Sequence, residues 1–272
     1  MAENARIARH KRPERMPTYN EKKQASEDLF SGEYAARQSV QETTPITITP
    51  EVKSFAAELG GLPIRVLVNA DQYGLYGWCA DGVRERIRYE GGSIVFGWTI
   101  WEWPNVLLTA EFHSVWQDTA GTLIDITPKP DGEETIVFVP KAEFPQDFDF
   151  DDRPVNHRRR IYVPTDHSEN IRARIAAMKP AQREYESRRA AKVGVSIEER
   201  LRNELPVDPL PQLIDDFIAT VAAVETKKDG AEKIGVGLIS ADAKLVRLMQ
   251  KRFSQQQQIR TLIKAGRNSR TA

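Results

Sequence analysis

Cysteine is almost absent: Cys79 is the one thiol in 272 residues. A single thiol excludes an intramolecular disulfide, a cysteine-rich zinc finger and a cysteine-ligated iron–sulfur cluster. Net charge is missing as well, because 39 Lys+Arg meet 39 Asp+Glu. A nucleic-acid partner recruited by global charge is therefore not expected, although a local basic patch stays open. Long apolar runs are lacking. The richest, Ile94 to Leu108, is interrupted by Glu102, Pro104 and Asn105, short of the roughly 18 apolar residues that mark a membrane span. The first fifteen residues hold no apolar stretch of the signal-peptide kind. No tight ligand pair such as HxxxH or CxxC occurs, so neither a metal nor another cofactor is called for. The expectation is a soluble, cytoplasmic protein without a membrane partner; its oligomeric state is left open.

What is present is enough for a core, with 40% hydrophobic and 29% charged residues, and the length suits about two domains. Charge is uneven along the chain. Residues 60–155 hold 7 basic and 16 acidic side chains, whereas residues 241–272 hold 8 basic and 1 acidic. Residues 1–45 are polar and aperiodic and read as a disordered segment, with one short helix near Glu27–Gln38. A core is expected over 46–165 and a helical C-terminal extension over 166–272.

Within the core, Pro50–Leu59 reads as a helix closed by Gly60-Gly61, and Ile64–Asn69 as a short β-branched strand. Gly77–Glu90 places Ala80, Val83 and Ile87 at helical spacing before Gly91-Gly92, with Gly82 the weak point. Strand patterns follow at 93–102, 106–116, 122–127 and 135–139, parted by Pro104-Asn105, Asp118–Gly121 and Pro130-Asp131-Gly132. This predicts one helix and then an antiparallel meander. An acidic, Phe-containing loop leads to a candidate strand at 159–163. Helical patterns follow at 169–178, 180–192, 196–204, 211–226 and 241–263.

Three residues stand in an order that suits covalent catalysis. Cys79 opens a helix, His113 lies on a later strand and Asp125 on the next. A helix N-terminus lowers a thiol's pKa, an imidazole can take and return its proton, and a carboxylate can orient the ring. The hairpin tests this. With a three-residue loop near Thr119, paired positions sum to 238 or 240, and either register puts His113 and Asp125 on one face. A slip of one residue would separate them.

The stretches GWCADGV at 77–83, AEFHSVW at 110–116 and GTLIDITP at 121–128 resemble the transglutaminase-like branch of the papain-like cysteine enzymes. The resemblance spans roughly residues 62–140. It implies an α+β fold in which a Cys-bearing helix packs on an antiparallel sheet. It also implies a Cys79-His113-Asp125 triad that forms a thioacyl enzyme, and an oxyanion-hole side chain upstream, for which Gln72 and Asn69 are the candidates.

Each residue has a plainer reading. A lone cysteine is commonly an inert buried side chain, and a strand histidine commonly a structural one. Asp125 is the informative residue, since a carboxylate inside the apolar run LIDIT is costly without a partner. All five tryptophans fall between Trp78 and Trp116. Most suit core packing, with Trp78 and Trp116 as candidates for an acyl-binding cleft. Glu102 and Glu111 suggest a glycosidase carboxylate pair less well than strand-edge positions. The basic C-terminal helix suits a solvated face, an acidic partner or the acidic middle of the same chain.

The expected function is thiol-dependent acyl transfer, with hydrolysis of an amide or peptide bond as its generic outcome and a peptide, an amide or a protein as its substrate. The alternative is a non-catalytic binding module of the same fold, with the helical tail as its partner surface.

Overall fold

The computed structural model describes residues 17–36, 42–231, 233–235 and 238–271. The chain forms two compact units: one runs to Ile161 and resumes at Ile214, and the other is Tyr162–Leu213.

The first unit is mixed α+β around a closed five-stranded barrel. Its elements are α1 (Tyr19–Ala36), α2 (Pro50–Glu58), β1 (Ile64–Val68), α3 (Cys79–Glu90), β2 (Ser93–Trp103), β3 (Leu107–Gln117), β4 (Leu123–Asp125), β5 (Thr135–Pro140) and β6 (His157–Arg160). The strand order is β2-β5-β1-β4-β3-β6, and β2 pairs with β3 to close the ring. The expected meander is thereby corrected. β1 inserts between β4 and β5, parallel to the first and antiparallel to the second. Only β2–β3 and β3–β4 keep the simple hairpin order.

Both faces of the strands are covered, which explains the nearly continuous apolar runs of β2 and β5. Val66, Val115, Ile136 and Phe138 pack together on one face, with Val68, Val95, Trp101 and Leu123 beside them. On the other face Phe96, Trp98, Ile100, Phe112 and Trp116 meet Val52, Phe55 and Ala56 of α2 and Ala80 and Val83 of α3. In α2, Thr49 caps the helix by accepting from the Val52 N–H, and Pro50 occupies the first turn. The acidic loop after β5 turns its aromatic residues inward: Phe144, Phe148 and Phe150 pack on Phe112 at ring separations of 4.7, 5.9 and 5.7 Å.

Two expectations about the ends of the chain are corrected. Residues 1–16 and 37–41 lie outside the described residues; between them, where one short helix near Glu27–Gln38 was expected in a disordered segment, α1 is a longer helix that begins at Tyr19. It packs on the loop before α3. Ser26 Oγ accepts the Tyr76 N–H at 2.6 Å, Lys22 pairs with Asp81 at 2.6 Å, and Tyr19 donates to the Tyr73 carbonyl at 3.1 Å. Its polar composition hid this, because the anchors are hydrogen bonds and ion pairs more than an apolar stripe.

The expected change of character near 165 matches the start of the second unit. That unit holds α4 (Ser168–Ala176), α5 (Pro180–Lys192) and α6 (Ile197–Asn203), with Ile171, Met178 and Leu201 as its core. The helical region is not one extension to the C-terminus, however. Within α7 (Leu210–Asp229) the chain rejoins the first unit, where Phe217 meets Trp103 edge-on at 5.9 Å and Glu225 pairs with Arg158. The short strands β7 (Lys233–Gly235) and β8 (Leu238–Ile239) lead to α8 (Ala243–Thr271), which buries Leu245 and Ile259. Among the described residues no helix is long and apolar enough to cross a membrane.

Candidate active site

The β3–β4 hairpin has the second of the two expected registers. Trp116 pairs with Ile124 and Gln117 with Leu123, so paired positions sum to 240. His113 and Asp125 are then diagonal neighbours on one face, and His113 Nε2 lies 3.0 Å from Asp125 Oδ2. β4 is short because Asp125 ends it. The Asp125 Oδ1 accepts the Thr127 N–H at 2.9 Å, turning the chain, and the Asp125 carbonyl accepts the Asn69 N–H at 2.9 Å.

Along its outer edge β3 pairs with β6 from Leu107 to Ala110 and with β4 at Trp116 and Gln117. Among the described residues, 111–115 have no ladder partner on that side, and here the N-terminus of α3 reaches the sheet. The Phe112 N–H donates to Asn156 Oδ1 at 3.3 Å. Two residues on, where strand geometry directs the N–H to the same edge, Ser114 stands beside the Cys79 sulfur, where its polar groups favour the charged thiolate. His113 flanks the same sulfur. With Nε2 committed to Asp125, Nδ1 is the ring nitrogen available to the thiol.

All three groups are withdrawn from water: Cys79 is 7% exposed, His113 8% and Asp125 0%. Burial alone would push the thiol pKa up. The charge of the neighbouring His113, with the polar groups of His113 and Ser114, outweighs it and holds Cys79 below the ordinary thiol value. Burial alone would push His113 down, but the Asp125 carboxylate and the Cys79 thiolate raise it to about 10. Burial would push Asp125 up, and Lys129 and His113 instead hold it well below the usual carboxylate range. The shifts of all three groups run in the direction that favours a thiolate–imidazolium pair backed by a carboxylate. As the first residue of α3, Cys79 also presents a backbone N–H that has no acceptor within the helix.

Two neighbours of the triad were not found in the sequence. Lys129 Nζ lies 2.7 Å from Asp125 Oδ2, and its side chain is 6% exposed. The only hint was a lysine four residues after a strand carboxylate, in a turn that reads as solvated. Ser114 gave no signal, since alternation assigns it to the face opposite His113.

Of the remaining candidates, Gln72, Asn69 and Trp116 are not brought to the thiol. Gln72 is exposed, and its carbonyl accepts from Tyr19 Oη at 3.5 Å and Lys23 Nζ at 3.3 Å. Asn69 is exposed too and joins the site through its backbone alone. Neither side-chain amide bonds to Cys79 or His113. The loop that carries both is set by close backbone approaches: a Cβ on Gly74 would collide with the Ile126 carbonyl, and one on Gly82 would sit 2.6 Å from the Tyr73 carbonyl oxygen. Trp78 is half-buried at the N-cap of α3, next to the thiol in sequence. Trp116 is no cleft wall. Its parity is opposite to that of His113, its indole N–H donates to the Gly91 carbonyl at 3.0 Å, and the Arg86 guanidinium stacks on its ring 3.8 Å from the centroid. Arg86 lies seven residues along α3 from Cys79, about 10 Å by helical rise.

Glu111 bonds the Trp101 indole N–H at 2.8 Å, and Glu102 exchanges backbone hydrogen bonds with Thr43. No bond joins the two carboxylates. Among the described residues, no three His, Cys, Asp or Glu side chains are grouped so that they could hold a metal ion. Comparison with protein-family models, with curated proteins and with solved structures finds no match to this chain.

Proposed function

We propose that this protein is a cysteine acyl-transfer enzyme with a transglutaminase-like or papain-like core, which cleaves an amide or peptide bond through a thioacyl intermediate on Cys79. The observation that carries the reading is the buried relay itself. A thiol at a helix N-terminus lies beside His113, and the far ring nitrogen of His113 is 3.0 Å from a fully buried Asp125.

The Cys79 thiolate attacks the substrate carbonyl carbon, and the C=O electron pair moves to oxygen, where the Cys79 N–H donates to the developing oxyanion. Collapse re-forms C=O and breaks the C–N bond, and the leaving amine takes the proton of the His113 imidazolium. His113, now neutral, removes a proton from water as the water attacks the thioester. Collapse of that second tetrahedral intermediate breaks the C–S bond and returns its electron pair to sulfur, so the carboxylic acid departs and the thiolate–imidazolium pair is restored. Asp125 holds the ring in the tautomer that both halves require.

One observation favours the second reading, a binding module of the same fold: the thiol is enclosed rather than open to solvent. Alkylation rates of Cys79 measured across pH separate the two. In the enzyme, the rate rises through a midpoint well below the ordinary thiol pKa of about 8.5. His113→Ala moves that midpoint up to 8.5 or above. Asp125→Asn moves it less but lowers turnover of a cleavable amide on the order of 10³–10⁴-fold. A midpoint near 8.5 that ignores His113→Ala would leave only the binding module. Intact-mass detection of a thioacyl adduct after incubation with candidate amides would identify the substrate.

A further inference from the structure

Lys129 brings to the site a charge that a Cys-His-Asp relay does not require. Its Nζ and His113 Nε2 contact the same oxygen, Asp125 Oδ2, at 2.7 and 3.0 Å. The other carboxylate oxygen is occupied by the Thr127 N–H. The Trp101 ring lies on a further side of the ammonium, its centroid 5.8 Å from Nζ. Sheltering a lysine to this degree is costly unless its charge is closely paired, and the pairing here divides one carboxylate between two cations.

We infer that Lys129 is a positioning residue that sets the proton affinity of the Cys79–His113 pair, by sharing Asp125 with the imidazole and keeping the site one positive charge richer. The inference rests on the nucleophilic role proposed for Cys79. The charged groups that face His113 are Cys79 from α3, Asp125 from β4 and Lys129 from the turn after β4. Glu111, on the same strand face, is exposed and engaged by the Trp101 indole.

The sign follows from Coulomb's law. Removing the ammonium leaves Asp125 wholly to the imidazolium, which then holds its proton more tightly. It also removes a cation from the neighbourhood of the thiolate, which then forms at higher pH. Both titrations of the pair move upward together. With Lys129 in place the imidazolium is the stronger acid, better able to protonate a leaving amine, and the thiolate is available at lower pH.

The test follows Cys79 alkylation by iodoacetamide against pH in the full chain, for wild type, Lys129→Met, Lys129→Gln and Lys129→Arg, after melting curves establish folding. Lys129→Gln keeps an N–H donor for Asp125, so it guards against a collapse of the methionine variant. Both neutral variants should raise the alkylation midpoint by about one pH unit, a roughly tenfold loss of rate below the midpoint. Lys129→Arg keeps the charge and should stay close to wild type. If the wild-type midpoint is low and depends on His113, but Lys129→Met and Lys129→Gln leave it in place, this inference fails and the proposed function stands. Equal shifts in the glutamine and arginine variants would assign Lys129 a steric role and overturn the inference. A wild-type midpoint near 8.5, unmoved by His113→Ala, would remove the nucleophile on which both depend.

Discussion

Folding moves Cys79 down and His113 up in proton affinity, and the opposed shifts leave a signature in stability. His113 is raised from about 6.5 in the unfolded chain to about 10. Taken alone it contributes stability that is complete below pH 6.5 and lost as pH rises toward 10. Cys79 is lowered, so taken alone it contributes stability present above about 8.5 and lost as pH falls through its folded value. At any pH above both 6.5 and the folded Cys79 value, and below about 8.5, the folded pair holds one proton, on His113, and the unfolded pair holds one, on Cys79. Equal proton counts mean no slope. Wild type should therefore melt at a constant temperature across that window. Cys79→Ser removes the compensating group, and its stability should fall as pH rises from 6.5, by up to about 1.4 kcal/mol per pH unit. Melting curves from pH 5.5 to 9 test this; parallel behaviour of the two proteins would mean that the thiol and imidazole share no proton. The His113–Asp125 pair was legible in the sequence because a short hairpin loop fixes parity. Lys129 and Ser114 were not, since each acts from a position that alternation assigns to solvent or to the opposite face.

The helix that begins at Cys79 carries Gly82, which intrinsic propensity marks as a defect. In the structure that glycine is where the loop before α3 crosses the helix, with the Tyr73 carbonyl oxygen 2.6 Å from the place a Cβ would take. Propensity and packing therefore predict opposite signs for Gly82→Ala. Propensity alone would give a gain of about 1 kcal/mol. The contact is with backbone rather than a flexible side chain, so we expect a net loss of about 1–3 kcal/mol, as in other overpacked sites, together with slower alkylation of Cys79. Urea denaturation of the variant decides between them, and a rise in midpoint would refute the packing argument. Element positions were legible from α2 to α7, because β-branched runs, helical spacing and Gly or Pro breaks are local signals, whereas the extent of α1 and the short β7 and β8 were not. Strand partners were not. β1 lies parallel to β4 and antiparallel to β5, and nothing in an apolar pentapeptide such as IRVLV records which neighbours it will take.

Across the whole chain, the acidic middle and the C-terminal helices belong to one compact unit, interrupted by residues 162–213. The sequence suggested a single helical extension because all the segments after 165 share one periodicity, and periodicity does not report which core a helix joins. Arg158 shows why α7 joins the barrel. Its side chain is 8% exposed on β6, its two terminal nitrogens both bond Glu225, and Asn156 donates to the same carboxylate at 3.1 Å. Asn156 in turn accepts the Phe112 N–H from the open edge of β3, next to the strand residues that hold the thiol. Glu225→Ala leaves a mostly buried guanidinium without its carboxylate. Because Glu225 itself is 31% exposed, the cost should fall below that of a fully buried pair, at about 1–3 kcal/mol. The double variant Arg158→Met with Glu225→Ala removes the stranded charge and should recover part of that loss. Chemical denaturation of the two single variants and the double gives the coupling directly. A coupling near zero would mean that α7 is held to the barrel by contacts such as Trp103–Phe217 alone, and that the charges at residues 158 and 225 are incidental to it.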